Sequence, residues 1–161
     1  MLTGKNKTAE GCIFCRREVI EKSFFSTDRF SAFYNIAPVL PGHSLVIPKK
    51  HYQSLFELSD DELGEMMGFA RRVTLVLKTV FGCSGFDWTI QDGASAGQTV
   101  PHLHLHIIPR KANDMDGAGE WYSSIPENEK QLIDSELRNR LNTSEYDAIT
   151  KELREISSKL I

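Results

Sequence analysis

The chain has 161 residues, of which 40% are hydrophobic and 25% are charged, and its formal net charge is −3. These values are typical of one globular domain that is long enough to bury a core without covalent cross-links. Charges of both signs are mixed along the chain, which argues against a nucleic-acid-binding protein but leaves room for a local site for a small anion. We expect a single domain over residues 1–161, with a core at about 12–112 and a C-terminal extension at about 113–161.

The cysteine count and the apolar runs bear on the compartment. Three cysteines, an odd number, do not indicate a disulfide framework. The polar N-terminus MLTGKNKTAEG lacks the apolar run of a signal peptide, and no apolar stretch approaches the roughly 20 residues that span a bilayer. We therefore predict a cytoplasmic protein with no membrane partner.

Hydrophobic periodicity predicts an α+β fold. Alternating apolar residues between turn signals predict strands at 30–35, 43–48, 86–92 and 102–110. Ser59 and Glu62 have the spacing of a capping box, and apolar residues then recur at helical spacing up to Gly82. Residues 127–161 are charged and predict two weakly amphipathic helices. We expect an antiparallel sheet of about five strands with one long helix packed on it.

Three of the five histidines occupy alternate positions in the run VPHLHLHIIPR, at His102, His104 and His106. Successive side chains of a strand point to opposite faces, so the histidines would share one face and the apolar residues between them the buried face. Imidazoles on one face can present a nucleophile with helpers, hold a polyanion or ligate a transition metal. A merely polar strand face would more usually carry Ser, Thr, Lys or Glu. The pattern favours chemistry or metal binding without deciding between them.

A glycine-bearing loop precedes the histidines. Gly93 and Gly97 flank small residues, and such a loop lets backbone N–H groups approach an anion closely. Gln98 and Thr99 can add side-chain donors at the same place. An ordinary connection between strands would explain the loop equally well, but its position directly before the histidines predicts a phosphate cradle.

The segment QDGASAGQTVPHLHLHIIPRKAND resembles the signature of the histidine-triad (HIT) family, and more narrowly that of its fragile-histidine-triad branch of dinucleoside polyphosphate hydrolases. The marks are QDG at 91–93, AGQTV at 96–100 and PRK at 109–111, and the similarity extends upstream through Asn35 and PGHSLVIP at 41–48. The resemblance implies a HIT-like fold, a homodimer, and cleavage of substrates such as diadenosine tri- or tetraphosphate at the α-phosphate, releasing a nucleoside monophosphate.

The same resemblance implies a role for each site residue. His104 would attack the α-phosphorus and form a covalent nucleotidyl-histidine, which water then hydrolyses. His106 would contact the α-phosphate, His102 would support the site from its other side, and His43 would orient the triad. The implied substrate contacts are Asn35 at the ribose, Gln91 at the nucleotide, and Gly97, Gln98, Thr99 and Val100 at the phosphate oxygens.

Cys12 and Cys15 form a C-x-x-C pair. The residues alone fit either half of a zinc site or two small buried hydrophobic side chains. Histidine-triad proteins that carry this pair complete a zinc site with two histidines, which correspond here to His51 and His102. The resemblance thus implies a structural zinc ion, although the dinucleotide-hydrolase branch usually lacks the cysteine pair.

Three other functions remain open at this point. The chain could cleave P–N bonds in nucleoside phosphoramidates, as another branch of the family does, although QDG at 91–93 favours the dinucleotide branch. It could be a nucleotidyltransferase in which another acceptor replaces water. It could also be a non-enzymatic metal- or nucleotide-binding protein. In each enzymatic case the expected partner is a small-molecule nucleotide.

Overall fold

A computed structural model describes residues 11–114 and 139–161, which contain five β-strands and three α-helices. The strands are β1 Phe25–Ser26, β2 Phe30–Tyr34, β3 Ser44–Pro48, β4 Gly85–Ile90 and β5 Leu105–Arg110. The α-helices are α1 Arg17–Ile20, α2 Asp60–Phe81 and α3 Thr143–Leu160. Short 3-10 turns lie at Ile13–Cys15, Leu55–Glu57 and Ala94–Ala96. Within these ranges, none of the helices is both long and apolar enough to cross a membrane.

The strands form one antiparallel sheet in the order β1-β2-β3-β5-β4. The last strand in sequence, β5, lies between β3 and β4, with Leu105 opposite Val46 on one side and Ile90 on the other. This topology confirms the expected α+β fold with a five-stranded sheet. It also places the histidine segment in the middle of the sheet, where neighbours on both sides can supply partners.

The long helix α2 confirms the sequence prediction at both ends. The Ser59 side chain accepts a hydrogen bond from the Glu62 N–H, and the Glu62 carboxylate accepts one from the Ser59 N–H, which completes the capping box. Gly82 ends the helix with φ 59° and ψ 40°, a left-handed conformation that glycine adopts without strain. The buried residues of α2 belong to the core under the sheet and are Met66, Phe69, Ala70, Val73, Val76 and Leu77.

The C-terminal helix α3 packs on α2 and β2. Its buried face includes Tyr146 and Leu153, and Arg154 donates to the carbonyl oxygens of Ser23 at 2.8 Å and Glu21 at 2.6 Å. One helix therefore lies where the second predicted amphipathic stretch was expected. The part of that prediction on residues 127–138 lies outside the described residues.

The predicted strand at 102–110 is wrong at its start, because β5 begins at Leu105. The His102 N–H donates to the Val100 carbonyl at 2.7 Å, and the Leu103 N–H donates to the Tyr52 carbonyl at 2.6 Å. The first bond is local and the second ties the segment to the loop after β3, so neither belongs to the sheet ladder. His102 and His104 consequently precede the strand, and all three histidines are buried, as are the apolar residues between them.

We predict that Leu153→Ala lowers the free energy of unfolding by about 2–5 kcal/mol, because it removes a fully buried side chain from the interface of α3 with the core. Chemical denaturation would measure the change. Lys151→Ala, at an exposed position of the same helix, should stay within about 0.5 kcal/mol of the parent protein. Equal effects of the two substitutions would contradict the packing of α3 as part of the cooperative unit.

Candidate functional site

His104 is buried, and its Nδ1 atom lies 2.7 Å from the carbonyl oxygen of His102. A carbonyl oxygen can only accept a hydrogen bond, so Nδ1 of His104 must carry a proton. In the neutral ring the other nitrogen, Nε2, then holds the lone pair. The backbone of His102 therefore sets His104 in the tautomer that a nucleophile attacking through Nε2 requires.

His43 and His106 form a second hydrogen-bonded unit. The Val39 N–H donates to Nδ1 of His43 at 3.1 Å, so the proton of the neutral His43 ring is on Nε2. Nε2 of His43 lies 3.0 Å from Nδ1 of His106, which accepts that proton in a hydrogen bond. Nε2 of His106 is consequently the protonated nitrogen of its ring.

The two units meet at the triad. The ring centroids of His104 and His106 are 4.9 Å apart, and the ring planes are inclined by 70°. Two adjacent imidazoles thus have opposite tautomers, one with a lone pair on Nε2 and the other with an N–H at the same ring position. The difference comes from backbone groups, the carbonyl of His102 and the N–H of Val39.

Two residues predicted to contact the nucleotide, Asn35 and Gln91, are buried. The Asn35 amide oxygen accepts from the Ala37 N–H at 2.9 Å, and its nitrogen lies 3.4 Å from Nε2 of His43. Gln91 directly follows β4, and no group in residues 11–114 or 139–161 hydrogen-bonds its side-chain oxygen. A buried amide oxygen in that state is costly unless water or a ligand meets it.

The loop before the triad has the two left-handed glycines that its sequence suggested, with φ of 92° at Gly93 and 93° at Gly97. Its N–H groups, however, donate within the loop: that of Gly97 bonds to the Ala94 carbonyl at 3.1 Å, and that of Gln98 bonds to the Gly93 carbonyl at 3.2 Å. A phosphate that used either N–H would have to replace one of these bonds. The next two predicted phosphate contacts, Thr99 and Val100, lead directly into the triad.

Gln98 and Asp92 connect this loop to the loop after β3. The Gln98 side chain accepts from the Gly93 N–H at 2.9 Å and donates to the Gln53 carbonyl at 3.0 Å. The Asp92 carboxylate accepts from the Ser54 hydroxyl at 2.9 Å and from the Leu55 N–H at 3.0 Å. The sequence prediction did not assign a role to Asp92, although it lies within the QDG mark. These bonds fix the two loops against each other.

A second cluster adjoins the triad and shares His102 with it. Cys12, Cys15, His51 and His102 each offer one ligand atom, and these atoms lie within 4.8 Å of one another. The cysteines come from the 3-10 turn at Ile13–Cys15, His51 follows β3, and His102 precedes β5. The structure therefore brings together the four residues named from the sequence, and they form a possible metal site.

The distances within the cluster fit a tetrahedral ion. Nδ1 of His102 lies 3.4 Å from each cysteine sulfur and 3.2 Å from Nδ1 of His51, and the Cys15 sulfur lies 3.4 Å from that same His51 atom. Tetrahedral zinc with its usual bonds to nitrogen and sulfur separates its ligand atoms by about 3.3–3.8 Å. The donor set of two thiols and two imidazoles is also one that zinc prefers.

The ring of His102 is in the protonation state that a bound cation requires, and the Cys15 thiol would reach that state by losing its proton. Nε2 of His102 donates to the Pro48 carbonyl at 2.8 Å, so the lone pair of the ring lies on Nδ1, toward the cluster. Burial lowers the pKa of His102 to about 4, which keeps the ring neutral, although the bond to Pro48 opposes the shift. Burial raises the pKa of the Cys15 thiol to about 11, with a further contribution from Cys12. A bound cation would instead favour the thiolates.

The fold and the site define a class of small α+β proteins in which a buried histidine with a lone pair on Nε2 lies beside an imidazole N–H donor and a Cys–His cluster. Comparison with known families makes the assignment specific. The HIT domain model matches residues 16–113, and the chain belongs to the HIT family. The resemblance stated from the sequence is therefore confirmed.

Three known proteins show the extent of the similarity. The asymmetrical bis(5'-nucleosyl)-tetraphosphatase of Schizosaccharomyces pombe is 42% identical over 119 residues, which cover 74% of this chain and 65% of that protein. The bis(5'-adenosyl)-triphosphatase of Dictyostelium discoideum is 41% identical over 102 residues, covering 63% of this chain and 68% of that protein. A hypothetical histidine triad nucleotide-binding protein of Sulfolobus tokodaii has a crystal structure that matches with a TM-score of 0.72 at 29% identity, covering 92% of this chain and 93% of that one.

The chain thus spans slightly less than two thirds of the Schizosaccharomyces pombe relative. The HIT domain model extends from residue 16 to residue 113 and therefore contains the whole histidine triad and His43. Both cysteines of the cluster, Cys12 and Cys15, lie just outside that range.

We predict from the hydrogen bonds that His104 is protonated on Nδ1, whereas His43 and His106 are protonated on Nε2. Long-range 1H–15N correlation spectra of protein labelled in its histidines would report which nitrogen carries the proton. Single substitutions of each histidine by Gln would assign the signals. Protonation of His104 on Nε2 would contradict the arrangement.

Proposed function

We propose that this protein hydrolyses dinucleoside polyphosphates at the α-phosphate through a covalent nucleotidyl-His104 intermediate. The observation that carries the proposal is the pair of opposite tautomers at His104 and His106. An attack on phosphorus needs a lone pair on one side and hydrogen-bond donors on the phosphoryl oxygens. The similarity to relatives named as hydrolases of bis-nucleosyl phosphates supports the substrate class.

In the first step, Nε2 of His104 forms a bond to the α-phosphorus while the bond from that phosphorus to its bridging oxygen breaks. The shortened nucleoside phosphate leaves with the electron pair of that bond. The ring of His104 then carries a positive charge, and its Nδ1 proton remains bonded to the His102 carbonyl, which stabilises that charge. The Nε2 proton of His106 donates to a non-bridging oxygen, and His43 holds His106 in that tautomer.

In the second step, a water oxygen bonds to the α-phosphorus and the bond between phosphorus and Nε2 breaks. The electron pair returns to His104, a proton passes to solvent, and the nucleoside monophosphate leaves. One water molecule is consumed for each substrate cleaved. The division into two displacements through an activated side chain is the gain over direct attack by water.

The remaining site residues bind and orient the substrate in this proposal. Asn35 would bind the ribose, a role supported by its buried position beside His43. Gln91 would contact the nucleotide through the side-chain oxygen that stays without a partner in the described residues. The phosphate oxygens would be held by Gly97, Gln98, Thr99 and Val100. The N–H groups of Gly97 and Gln98 would first have to exchange their hydrogen bonds within the loop for bonds to phosphate.

We further propose that Cys12, Cys15, His51 and His102 hold a structural zinc ion. The tetrahedral distances, the neutral His102 ring and the two thiols support this choice of metal. When bound, zinc would fasten the N-terminal turn to the segment that carries His102. Nε2 of His102 donates to the Pro48 carbonyl, and this bond orients the imidazole ring from the side opposite the metal ligand Nδ1.

We propose a single-domain, cytoplasmic homodimer as the working form. The packing of α3 on α2 and β2 supports one domain, and unoxidised cysteines suit a reducing compartment. Exposed Met67 and Leu75 on α2, together with Trp88 on the edge strand β4, are apolar surface that a symmetric interface could cover.

We predict that His104→Ala lowers the rate of diadenosine triphosphate cleavage by at least about 10³-fold, because the nucleophile is lost. Brief mixing of the parent protein with substrate, followed by an acid-free quench and intact mass measurement, should reveal one added nucleotidyl group that the variant lacks. Lys151→Ala should behave as the parent protein. Equal rates of substrate cleavage by the parent protein and by His104→Ala would contradict the proposal.

We predict that the cluster binds one divalent ion per chain and that its affinity rises with pH between 6 and 8, by about tenfold per pH unit for each thiol proton displaced. The sign follows from the Cys15 pKa of about 11, because the thiol must lose its proton to become a ligand. Titration with Co²⁺ and its thiolate absorption bands would measure this.

The three cysteines provide a matched control for that titration. Cys15→Ala should abolish the thiolate bands, whereas Cys83→Ala, at a buried cysteine outside the cluster, should keep them. An affinity that does not depend on pH, or bands that depend on Cys83, would argue against the cluster as the site.

A further inference from the structure

We propose that Phe14 is a positioning residue for the nucleophile His104, held in place by the Cys–His cluster. This inference rests on the proposed function and extends it from the triad to the N-terminal turn. It assigns the C-x-x-C segment a part in the chemistry that a structural clip alone would not have.

The turn Ile13–Cys15 carries Phe14 against the triad. The Phe14 ring meets His104 edge-on, with centroids 5.4 Å apart and planes inclined by 66°. It meets His102 in the same way, at 5.8 Å and 87°. Such edge-to-face contacts define the relative orientation of two rings, because the positive edge of one ring points at the negative face of the other.

The neighbouring residue in the turn, Ile13, has the opposite orientation. Its side chain is 46% exposed, whereas Phe14 is half-buried. One residue of the turn therefore faces the triad and the next faces solvent, although both lie between the same two cysteines. Ile13 is thus a control position in the same 3-10 turn and between the same two cysteines.

The hydrogen bond from Nδ1 of His104 to the His102 carbonyl does not by itself define the plane of the His104 ring. A ring contact such as that with Phe14 adds this restraint. The bond from Nδ1 to the His102 carbonyl fixes one atom of the ring, at 2.7 Å. Rotation about the axis through that atom would move Nε2, the attacking nitrogen, away from the α-phosphorus. The rings of Phe14 and His106 both pack against His104 and oppose this rotation.

The position of Phe14 in turn depends on Cys12 and Cys15. Both sulfurs lie 3.4 Å from Nδ1 of His102, so the turn is attached at both ends to the residue whose carbonyl orients His104. Phe14 and the His102 carbonyl therefore share one support. Loss of Phe14 removes its ring contact with His104 and leaves the ligand atoms of the cluster intact.

The expected kinetic signature is a loss of rate without loss of binding. Misplacement of a reacting atom lowers the rate of the chemical step, by up to about 100-fold for a shift on the order of 1 Å. Binding of the substrate in its ground state does not require Nε2 to be in line with the bond that breaks. A positioning role thus predicts a lower rate of His104 nucleotidylation with an almost unchanged KM.

The experiment compares zinc-loaded Phe14→Ala, Phe14→Leu and Ile13→Ala with the parent protein, using diadenosine triphosphate. Single-turnover mixing measures the rate of nucleotidyl-His104 formation, steady-state assays measure KM, and metal analysis gives the zinc content. Long-range 1H–15N spectra of the histidines report the environment of the His104 ring without any turnover. Phe14→Leu keeps most of the buried volume and guards against a variant that does not fold.

We expect Phe14→Ala to keep its zinc and to form the intermediate between about 10-fold and 100-fold more slowly, with KM within about twofold. Phe14→Leu should be intermediate, and Ile13→Ala should match the parent protein. The His104 ring signals should shift in both Phe14 variants and stay in place in Ile13→Ala.

Two results would overturn the inference. A raised KM with an unchanged rate of nucleotidylation would make Phe14 a wall of the nucleotide pocket. Unshifted His104 signals in both Phe14 variants would remove the positioning role. If instead the parent protein forms no nucleotidyl-His104, the proposed function fails, and the spectra still decide whether Phe14 orients the His104 ring.

Discussion

The candidate site depends on the buried residue His102, whose polar atoms contact three different parts of the fold. Nδ1 points to the Cys–His cluster, Nε2 donates to the Pro48 carbonyl, and the backbone carbonyl accepts from His104. A buried imidazole is stable only if its polar atoms find partners, and here each partner belongs to a different part of the fold. One residue therefore connects the N-terminal turn, strand β3 and His104, and removing it would release all three.

Neutral backbone groups set the different tautomers of His104 and His106. The His102 carbonyl places a proton on Nδ1 of His104, and the Val39 N–H acts through His43 to place one on Nε2 of His106. Backbone groups are fixed by the fold and do not titrate. The lone pair and the donor thus stay in position without the desolvation cost of a buried ion pair, which suits the polyanionic substrate proposed for this site.

Structural features that depend on residues close together in the sequence were predicted correctly, whereas features that depend on distant contacts were missed. The capping box of α2 and its end at Gly82 were predictable because they depend on residues within a few positions of each other. The start of β5 was predicted three residues too early, because alternation of apolar residues does not reveal that Leu103 bonds to Tyr52 across the fold. Asp92 and Phe14 lacked an assigned role for the same reason, since their partners lie far away in sequence.

The amino-acid sequence by itself determined which chemical groups are available: three alternating histidines, a C-x-x-C pair, two glycines in the preceding loop, and an amphipathic helix long enough to cover the sheet. Its similarity to a known family also pointed to their joint use. Only the tertiary structure decided which nitrogen of His104 carries a proton, that His102 belongs to two sites at once, and that Phe14 contacts His104. Those properties depend on hydrogen bonds and ring contacts between segments distant in sequence, which no local pattern encodes.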